Sequence, residues 1–285
     1  MIKKIILNLG VYVFFATLLP CYLATLTYAQ SPLSLTVSPA RTEIELAPGQ
    51  TKFLNIDFYN QGDIAIFGYI KKSSGDLPVS AKYSASLWIN ILDEEVELVP
   101  GEKTTIGLQI NVPENARPGG KYVSVFFDPA EDKYQNSEKS SLLTIPRLVS
   151  LVYIKVGGKI VEKASVTRFT GPDLVEYGPV KIETTIFNQG DYHIRPKGVI
   201  NLVDMFGRVV DQVVLEEKNI FPETNSQYTN YVGEGRLFGR YKASLAASYG
   251  EKGQVLTKTV YLWIIPWKII TIILIPLIII AFLKI

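Results

Sequence analysis

The sequence predicts an all-β protein with two tandem antiparallel β-sandwich domains. Three observations support this prediction: both chain ends are apolar, the middle alternates with a period of two, and its motifs occur twice. Of the 285 residues, the mixed-composition middle is long enough for two domains of about 100 to 120 residues each. We expect a signal peptide at 1–29, one domain at 30–156, a second at 157–260 and a transmembrane anchor at 261–285.

The N-terminal segment has the pattern of a secretory signal helix. Lys3 and Lys4 precede a long apolar stretch, and small residues ending at Ala29 suit cleavage after that position. An uncleaved anchor helix is the alternative, because the apolar stretch is longer than that of most signals. Cys21 is the only cysteine, and the proline before it argues against a lipoprotein signal. Cleavage would leave a mature chain without disulfides.

The C-terminal segment has the composition of a transmembrane helix. Residues 269–283 are almost entirely Ile and Leu, and residues 261–268 extend the segment to the span of a bilayer, about 20 residues. Trp263 and Trp267 lie where aromatic rings favour lipid headgroups, and Lys284 would follow as a cytoplasmic stop. A buried core helix is the alternative. We expect a single-pass protein of the cell membrane with an extracytoplasmic body.

Between these ends the sequence alternates as half-buried strands do. In residues 103–112, Ile106, Leu108 and Ile110 share one face while polar side chains occupy the other. Residues 51–58 alternate in the same way. Pro-Gly pairs separate such strands, and no amphipathic helical pattern of similar length occurs. This arrangement is typical of an antiparallel sandwich.

The body contains an internal repeat. The sequence Asn-Gln-Gly-Asp ends an alternating strand at 60–63 and again at 188–191, and Pro-Gly-Glu at 100–102 is matched by Pro-Glu-Thr at 222–224. Tyr122 and Tyr241 each follow a glycine near the start of a later strand. The preserved order indicates one fold used twice. Both tyrosines fit the tyrosine corner of Ig-like sandwiches, so we predict two Ig-like domains in which these motifs are architectural.

Composition excludes several classes of function. The chain has 29 basic and 27 acidic residues, so it lacks the basic surface that nucleic-acid binding requires. His193 is the only histidine, and cleavage after Ala29 would leave the mature chain without cysteine, so the parts of a Cys/His nucleophile or a zinc site are missing. We expect His193 to be a structural residue on a strand.

No catalytic, cofactor-binding or metal-binding residue is therefore predicted. The acidic pair Glu95 and Glu97 could serve glycoside hydrolysis, but an exposed tip between two strands suits this run better. We predict a protein that is not an enzyme. A cell-wall glycan-active enzyme is the alternative.

Several motifs of the first half resemble the first domain of WxL-interacting surface proteins of Gram-positive bacteria. They are Ser-Pro-Ala-Arg at 38–41, Ala-Pro-Gly-Gln at 47–50, Asn-Gln-Gly-Asp at 60–63, Trp-Ile at 88–89, Pro-Gly-Glu at 100–102, Val-Pro at 112–113 and Pro-Gly-Gly-Lys-Tyr at 118–122. That family places a second Ig-like domain and one membrane helix after the first domain. The resemblance implies a surface protein that binds cell-wall polymer or surface-protein partners. The tail here lacks the basic cluster usual in the family.

A second resemblance is to periplasmic pilus chaperones, which are also two-domain Ig-like proteins. In those chaperones two basic residues hold the C-terminal carboxylate of a subunit beside an open strand edge. Arg41, near the first strand, and Arg147, within an alternating segment at 145–156, are the matching candidates here. This resemblance implies binding of secreted subunits by strand addition. The expected membrane anchor argues against it, because those chaperones are soluble.

Overall fold

The computed structural model describes residues 34–130, 146–235 and 237–283 and shows two β-sandwiches followed by one helix. The predicted signal segment, including Cys21, and Lys284 lie outside the described residues. The predicted all-β, two-domain fold is confirmed.

The first sandwich has a four-stranded sheet in the order β1-β3-β7-β5 and a five-stranded sheet in the order β2-β9-β8-β4-β6. Two 3-10 turns, Ala81–Tyr83 and Ser86–Trp88, lie between β4 and β5. The strands are β1 (Leu35–Ser38), β2 (Arg41–Leu46), β3 (Thr51–Asn60), β4 (Ile66–Ser73), β5 (Ile89–Ile91), β6 (Glu95–Leu98), β7 (Lys103–Asn111), β8 (Gly119–Pro129) and β9 (Leu148–Val156).

The second sandwich has a three-stranded sheet in the order β10-β12-β15 and a five-stranded sheet in the order β11-β17-β16-β13-β14. Its strands are β10 (Ala164–Thr170), β11 (Leu174–Val175), β12 (Val180–Asn188), β13 (Lys197–Val203), β14 (Val209–Val214), β15 (Asn225–Val232), β16 (Gly239–Tyr249) and β17 (Gln254–Ile264).

The two sandwiches repeat one frame, as the sequence predicted. In the smaller sheets β1-β3-β7 corresponds to β10-β12-β15, and in the larger sheets β2-β9-β8-β4 corresponds to β11-β17-β16-β13. One strand has no counterpart: β5 covers the outer side of β7, whereas no strand in the described part of the chain covers the outer side of β15.

The expectation of purely antiparallel sheets needs one correction in each domain. β2 runs parallel to β9, and β11 runs parallel to β17. In each domain the first strand joins the smaller sheet. The next strand crosses to the larger sheet, where it lies parallel to the last strand of the domain. The remaining strand pairs are antiparallel.

Each sandwich has its own apolar core, built from the alternating side chains that the sequence indicated. Ile106, Leu108 and Ile110 are buried in the first core. Ile182 and Ile186 of β12 are buried in the second. Burial of such side chains is the main force that holds two sheets face to face.

The chain leaves the second sandwich into one helix, α1 (Trp267–Leu283). The anchor was expected to begin at residue 261, but the first four residues of that segment belong to β17, where Leu262 and Ile264 are fully buried in the core. The strand therefore shortens the helix to 17 residues. Within the described ranges, no helix combines the length and the apolar character needed to cross a membrane. The predicted transmembrane helix is not confirmed.

A buried asparagine closes the same turn in both domains. The Nδ2 group of Asn60 donates to the carbonyls of Ile64 and Leu98, each at 2.8 Å, and its Oδ1 accepts from the Gly62 amide at 3.0 Å. Asn188 makes the same three bonds, to Tyr192 and Ile220 at 2.8 Å and from the Gly190 amide at 2.9 Å. These repeated turns are architectural, because each amide satisfies three backbone groups.

Replacing either asparagine by alanine should destabilise its sandwich by about 3 kcal/mol, because three backbone groups lose their partner. Urea unfolding of Asn60→Ala and Asn188→Ala measures the loss. The control is Asn90→Ala, which removes an exposed asparagine of β5 and should change the free energy of unfolding by less than about 0.5 kcal/mol. Equal stability of all three variants would contradict this role.

Candidate functional site at the domain junction and the open sheet edge

The two domains meet where glycines of β8 approach a turn of the second domain. The Gly120 amide donates to the Asp191 carbonyl at 2.7 Å. A Cβ atom on Gly119 would lie 2.6 Å from that same carbonyl oxygen, and Gly119 has a φ of 123°. Only glycine permits this close approach of the two backbones.

Tyr122 crosses the junction instead of forming the predicted tyrosine corner. Its side chain is fully buried, and its hydroxyl accepts a hydrogen bond from the His193 amide at 2.8 Å. The prediction holds for Tyr241, whose hydroxyl bonds to the amide and the carbonyl of Phe238 at 3.2 and 3.3 Å. The motif alone could not distinguish the two tyrosines, since both follow a glycine.

An aromatic cluster surrounds Tyr122. The centroid of its ring lies 4.8 Å from that of Phe221 and 5.2 Å from that of Tyr153, both in edge-to-face geometry. Tyr83 and His193 complete the cluster. Burial raises the pKa of the Tyr122 and Tyr153 hydroxyls, so both stay neutral donors and acceptors. The cluster therefore joins the domains as a small third core.

His193 lies in the loop between β12 and β13, not on a strand as predicted. Its residue exposure is only 7%. Burial lowers its pKa to about 4, and the positive charges of Arg195 and Arg41 act in the same direction. The Glu43 carboxylate, 3.9 Å from Nε2, opposes this effect, but it is partly exposed to water. The imidazole is thus neutral at physiological pH.

Arg41 lies at one face of this junction. Its Nε is 3.2 Å from the Glu43 carboxylate, which also lies 3.7 Å from Arg195 of the second domain. Arg195 in turn donates to the side chain of Asn219 at 2.8 Å. Arg41 therefore belongs to a charged network between the domains.

Arg147 has different surroundings. It donates to Asp128 at 3.0 Å, and its guanidinium lies 4.4 Å from the centroid of the Phe126 ring. Arg41 instead faces Glu43 and Tyr153. The structure thus does not bring the two candidate arginines to a shared partner. A binding role for either one stays a prediction.

Glu223 makes a separate connection between the domains. Its Oε1 accepts from Lys82 Nζ at 2.9 Å and from the Tyr83 hydroxyl at 3.0 Å. The hydrogen bond from Lys82 lowers the pKa of the carboxyl and raises that of the ammonium. Glu223 has a φ of 61°, and the matching position in the first domain is Gly101 with a φ of 75°. The sequence repeat already aligned these two positions, but it gave no reason to look for strain at the glutamate.

The acidic pair lies away from the junction. Glu95 and Glu97 are exposed on β6, where they face Tyr69 and Phe67 across the strand pair. Within the described ranges, no group of three or more His, Cys, Asp or Glu side chains is arranged to hold a metal ion.

The open edge of β15 is the second candidate site. Ile56 lies four residues before Asn60, and Thr184 lies four residues before Asn188, so these two positions correspond. They pair with Ile106 and Tyr228 respectively, which therefore correspond as well. Thr229 therefore corresponds to Gly107, whose carbonyl accepts the Leu92 amide at 3.0 Å in the first domain.

The same correspondence identifies the free backbone groups of β15. The Asn188 amide donates to the Thr224 carbonyl at 3.0 Å, so the even-numbered residues of β15 point their backbone groups at β12. Thr229 and Tyr231 consequently point theirs outward, and both side chains are exposed.

The fold is similar to the folds of several chaperones of known structure. The YadV chaperone aligns at 12% identity over 80% of this chain and 99% of its own, with a TM-score of 0.42. The CupB2 chaperone of Pseudomonas aeruginosa aligns at 8% identity over 78% and 98%, with a TM-score of 0.38. The E. coli chaperone DraB aligns at 12% identity over 81% and 97%, with a TM-score of 0.40.

The remaining comparisons give no family and a partial structural match. No protein-family model and no curated protein matches the chain, so the resemblance to WxL-interacting proteins gains no support. A family 123 glycoside hydrolase from Clostridium perfringens aligns at 11% identity over 44% of this chain and 27% of its own, with a TM-score of 0.31. At these TM-scores no functional conclusion rests on the likeness to any of these proteins.

Backbone strain at Glu223 predicts an unusual order of stabilities. Glu223→Gly should be about 1 kcal/mol more stable than Glu223→Ala, because both variants lose the contact with Lys82 but only alanine keeps a Cβ at positive φ. Urea unfolding gives the difference. Gly101→Ala is the control and should lose about 1 kcal/mol, since no heavy atom lies within 4 Å of an added Cβ there. An alanine variant as stable as the glycine variant would refute strain at position 223.

Burial of His193 predicts a pH-dependent stability. The unfolded histidine takes up a proton near pH 6.5, whereas the folded one does so only near pH 4, so protons favour the unfolded state between these values. The free energy of unfolding should fall by about 2 kcal/mol from pH 7 to pH 5. His193→Gln should remove this slope. A slope that is the same in both proteins would assign it to other groups.

Proposed function

We propose that this protein is a binding protein without enzymatic activity, whose second domain takes up an extended segment of a partner polypeptide by strand addition. The observation that carries the proposal is the missing strand. The first domain covers β7 with its own β5, whereas no strand within residues 34–130, 146–235 and 237–283 covers the outer side of the equivalent strand, β15. The partner segment would occupy the place that β5 has in the first domain.

The edge has the chemistry that strand addition requires. Strand edges of natural sheets are usually protected by Lys, Arg or Pro against pairing with other chains. Four outer strands of the described sheets have six or more residues. Arg41 and Arg168 lie in β2 and β10, whereas β14 and β15 contain no Lys, Arg or Pro. An added strand would bond to the outward backbone groups of Thr229 and Tyr231.

The position of β5 also indicates which side chains the partner would contribute. Ile91 of β5 lies opposite Leu108 and is buried. The residue equivalent to Leu108 is Asn230, whose buried Oδ1 has no hydrogen-bond partner among the described residues. A partner residue with a donor group, such as Ser or Asn, would satisfy this oxygen and remove the cost of leaving it unpaired.

The location of the protein stays a prediction. We propose an extracytoplasmic body, on the basis of the signal-like N-terminal sequence and the apolar C-terminal segment. Protease treatment of intact cells tests this location, because an extracytoplasmic body is cleaved while a cytosolic marker stays intact. Protection of the body together with that marker would refute it.

Site-specific photocrosslinking tests strand addition. A photoreactive side chain at Tyr231, which is 57% exposed, should form adducts with a partner polypeptide in cells. The matched control is the same group at Tyr261 of β17, which is 53% exposed and should form few adducts.

Thr229→Pro provides the decisive comparison. The substitution removes the outward amide of residue 229 but no hydrogen bond to β12, so the circular dichroism spectrum should not change. The yield of crosslinked adducts from position 231 should fall at least tenfold. Equal yields at both tyrosines, or a yield unaffected by proline, would refute the proposal. Adducts between two copies of this chain would show pairing of identical edges instead of partner binding.

A further inference from the structure

A basic cavity of about 260 Å³ opens beside the domain junction, on the side where Glu223 contacts Lys82. The first domain contributes two lysines, a tyrosine and other residues in and just before the start of β8, and the second contributes a lysine and an aspartate. The lining residues are Lys82, Tyr83, Arg117, Pro118, Gly120, Lys121, Lys159 and Asp191. The cavity borders the aromatic cluster at Tyr83, and its lining includes no residue of β15.

Positive charge in this cavity exceeds negative charge. Lys82 is neutralised by Glu223 at 2.9 Å. In the part of the chain that the structure describes, Arg117, Lys121 and Lys159 form no salt bridge, and Asp191 is the only acidic residue of the lining. Three uncompensated cations and one carboxylate leave about two net positive charges, and such a concave site attracts anions.

Lys121 is the central group of the cavity. Its ammonium donates to the Lys82 carbonyl and lies 5.4 Å from the centroid of the Trp88 ring and 5.9 Å from that of Tyr83. Its side chain is half-buried. Burial lowers its pKa, and the charges of Lys82 and Arg117 lower it further. An anion in the cavity would relieve this crowding of positive charge.

We propose that this cavity binds a phosphate group, either as the free ion or as part of a larger phosphate ester. The two net positive charges match a phosphate dianion better than a single carboxylate. Lysine and arginine side chains both donate charge-assisted hydrogen bonds to phosphate oxygens. A volume of about 260 Å³ also leaves room for a small organic group beside the phosphate, next to the ring of Tyr83.

A second cavity at the junction provides a comparison for the charge of the basic cavity. This cavity, of about 220 Å³, is lined by residues of both domains, and its charged groups include Glu45, Glu162 and Glu251. Of its two lysines, Lys155 is already paired with Glu251 at 2.6 Å and with Glu45 at 3.4 Å, and with Lys252 included the three glutamates still leave the lining with a net negative charge. Anion binding at the junction should therefore be confined to the basic cavity.

Titration of the full-length protein with inorganic phosphate, followed by NMR, tests the proposal. At low ionic strength the shifts should concentrate on Gly120, Lys121 and Asp191, and none should exceed the noise at Glu162 or Glu251. Lys159→Gln, which changes an exposed side chain, should weaken binding about tenfold, because one charge-assisted hydrogen bond is lost. Lys121→Gln should do the same, and Lys258→Gln on β17 is the matched control.

Two further ligands distinguish the sources of the phosphate. Glycerol phosphate, a monoester that keeps the dianionic charge, would indicate a phosphate ester if it binds at least as tightly as inorganic phosphate, and much weaker binding of it would indicate the free ion. Acetate should bind at least tenfold more weakly than inorganic phosphate. Equal binding of acetate and phosphate, or phosphate binding unaffected by both Lys121→Gln and Lys159→Gln, would overturn the assignment. These outcomes do not depend on strand addition at β15.

Discussion

The side chain of Asn188 fixes the loop on which the joint between the two domains depends. Its amide bonds to the Tyr192 carbonyl, and the next residue, His193, donates its own amide to Tyr122. A second bond to the Ile220 carbonyl holds the segment that carries Phe221 and Glu223. The groups that the second domain presents to Tyr122 are thus positioned by one buried asparagine, because its hydrogen bonds leave the loop few alternative conformations.

The same strand arrangement occurs in both domains but is modified differently in each. In the first domain the smaller sheet is completed by β5, and in the repeated turn Asn60 bonds to groups of its own domain, the carbonyls of Ile64 and Leu98 and the Gly62 amide. In the second domain the same turn contacts the neighbouring domain, and the smaller sheet is left one strand short. The junction and the open edge are therefore different modifications of the same starting structure, and each arises where the two copies differ.

Local patterns predicted the frame but not the contacts between its copies. Alternation and turn residues were sufficient for the strands around Ile106 and Ile182, since the period of two is set by the pleat itself. The partner of Tyr122 was not predictable, because the bond to His193 spans 71 residues of sequence. The strand end at Ile264 was missed for a related reason: its apolar residues match a membrane helix as well as a buried strand.

Tandem domains of similar structure carry a risk during folding, because one copy can take the place of the other at a shared interface. The exchange of glycine for glutamate between positions 101 and 223 makes the two copies unequal at this interface. Gly101 has no side chain to reach Lys82, so the first domain of a neighbouring molecule could not reproduce the contact that Glu223 makes. A first domain in the place of the second would therefore leave Lys82 without its carboxylate partner.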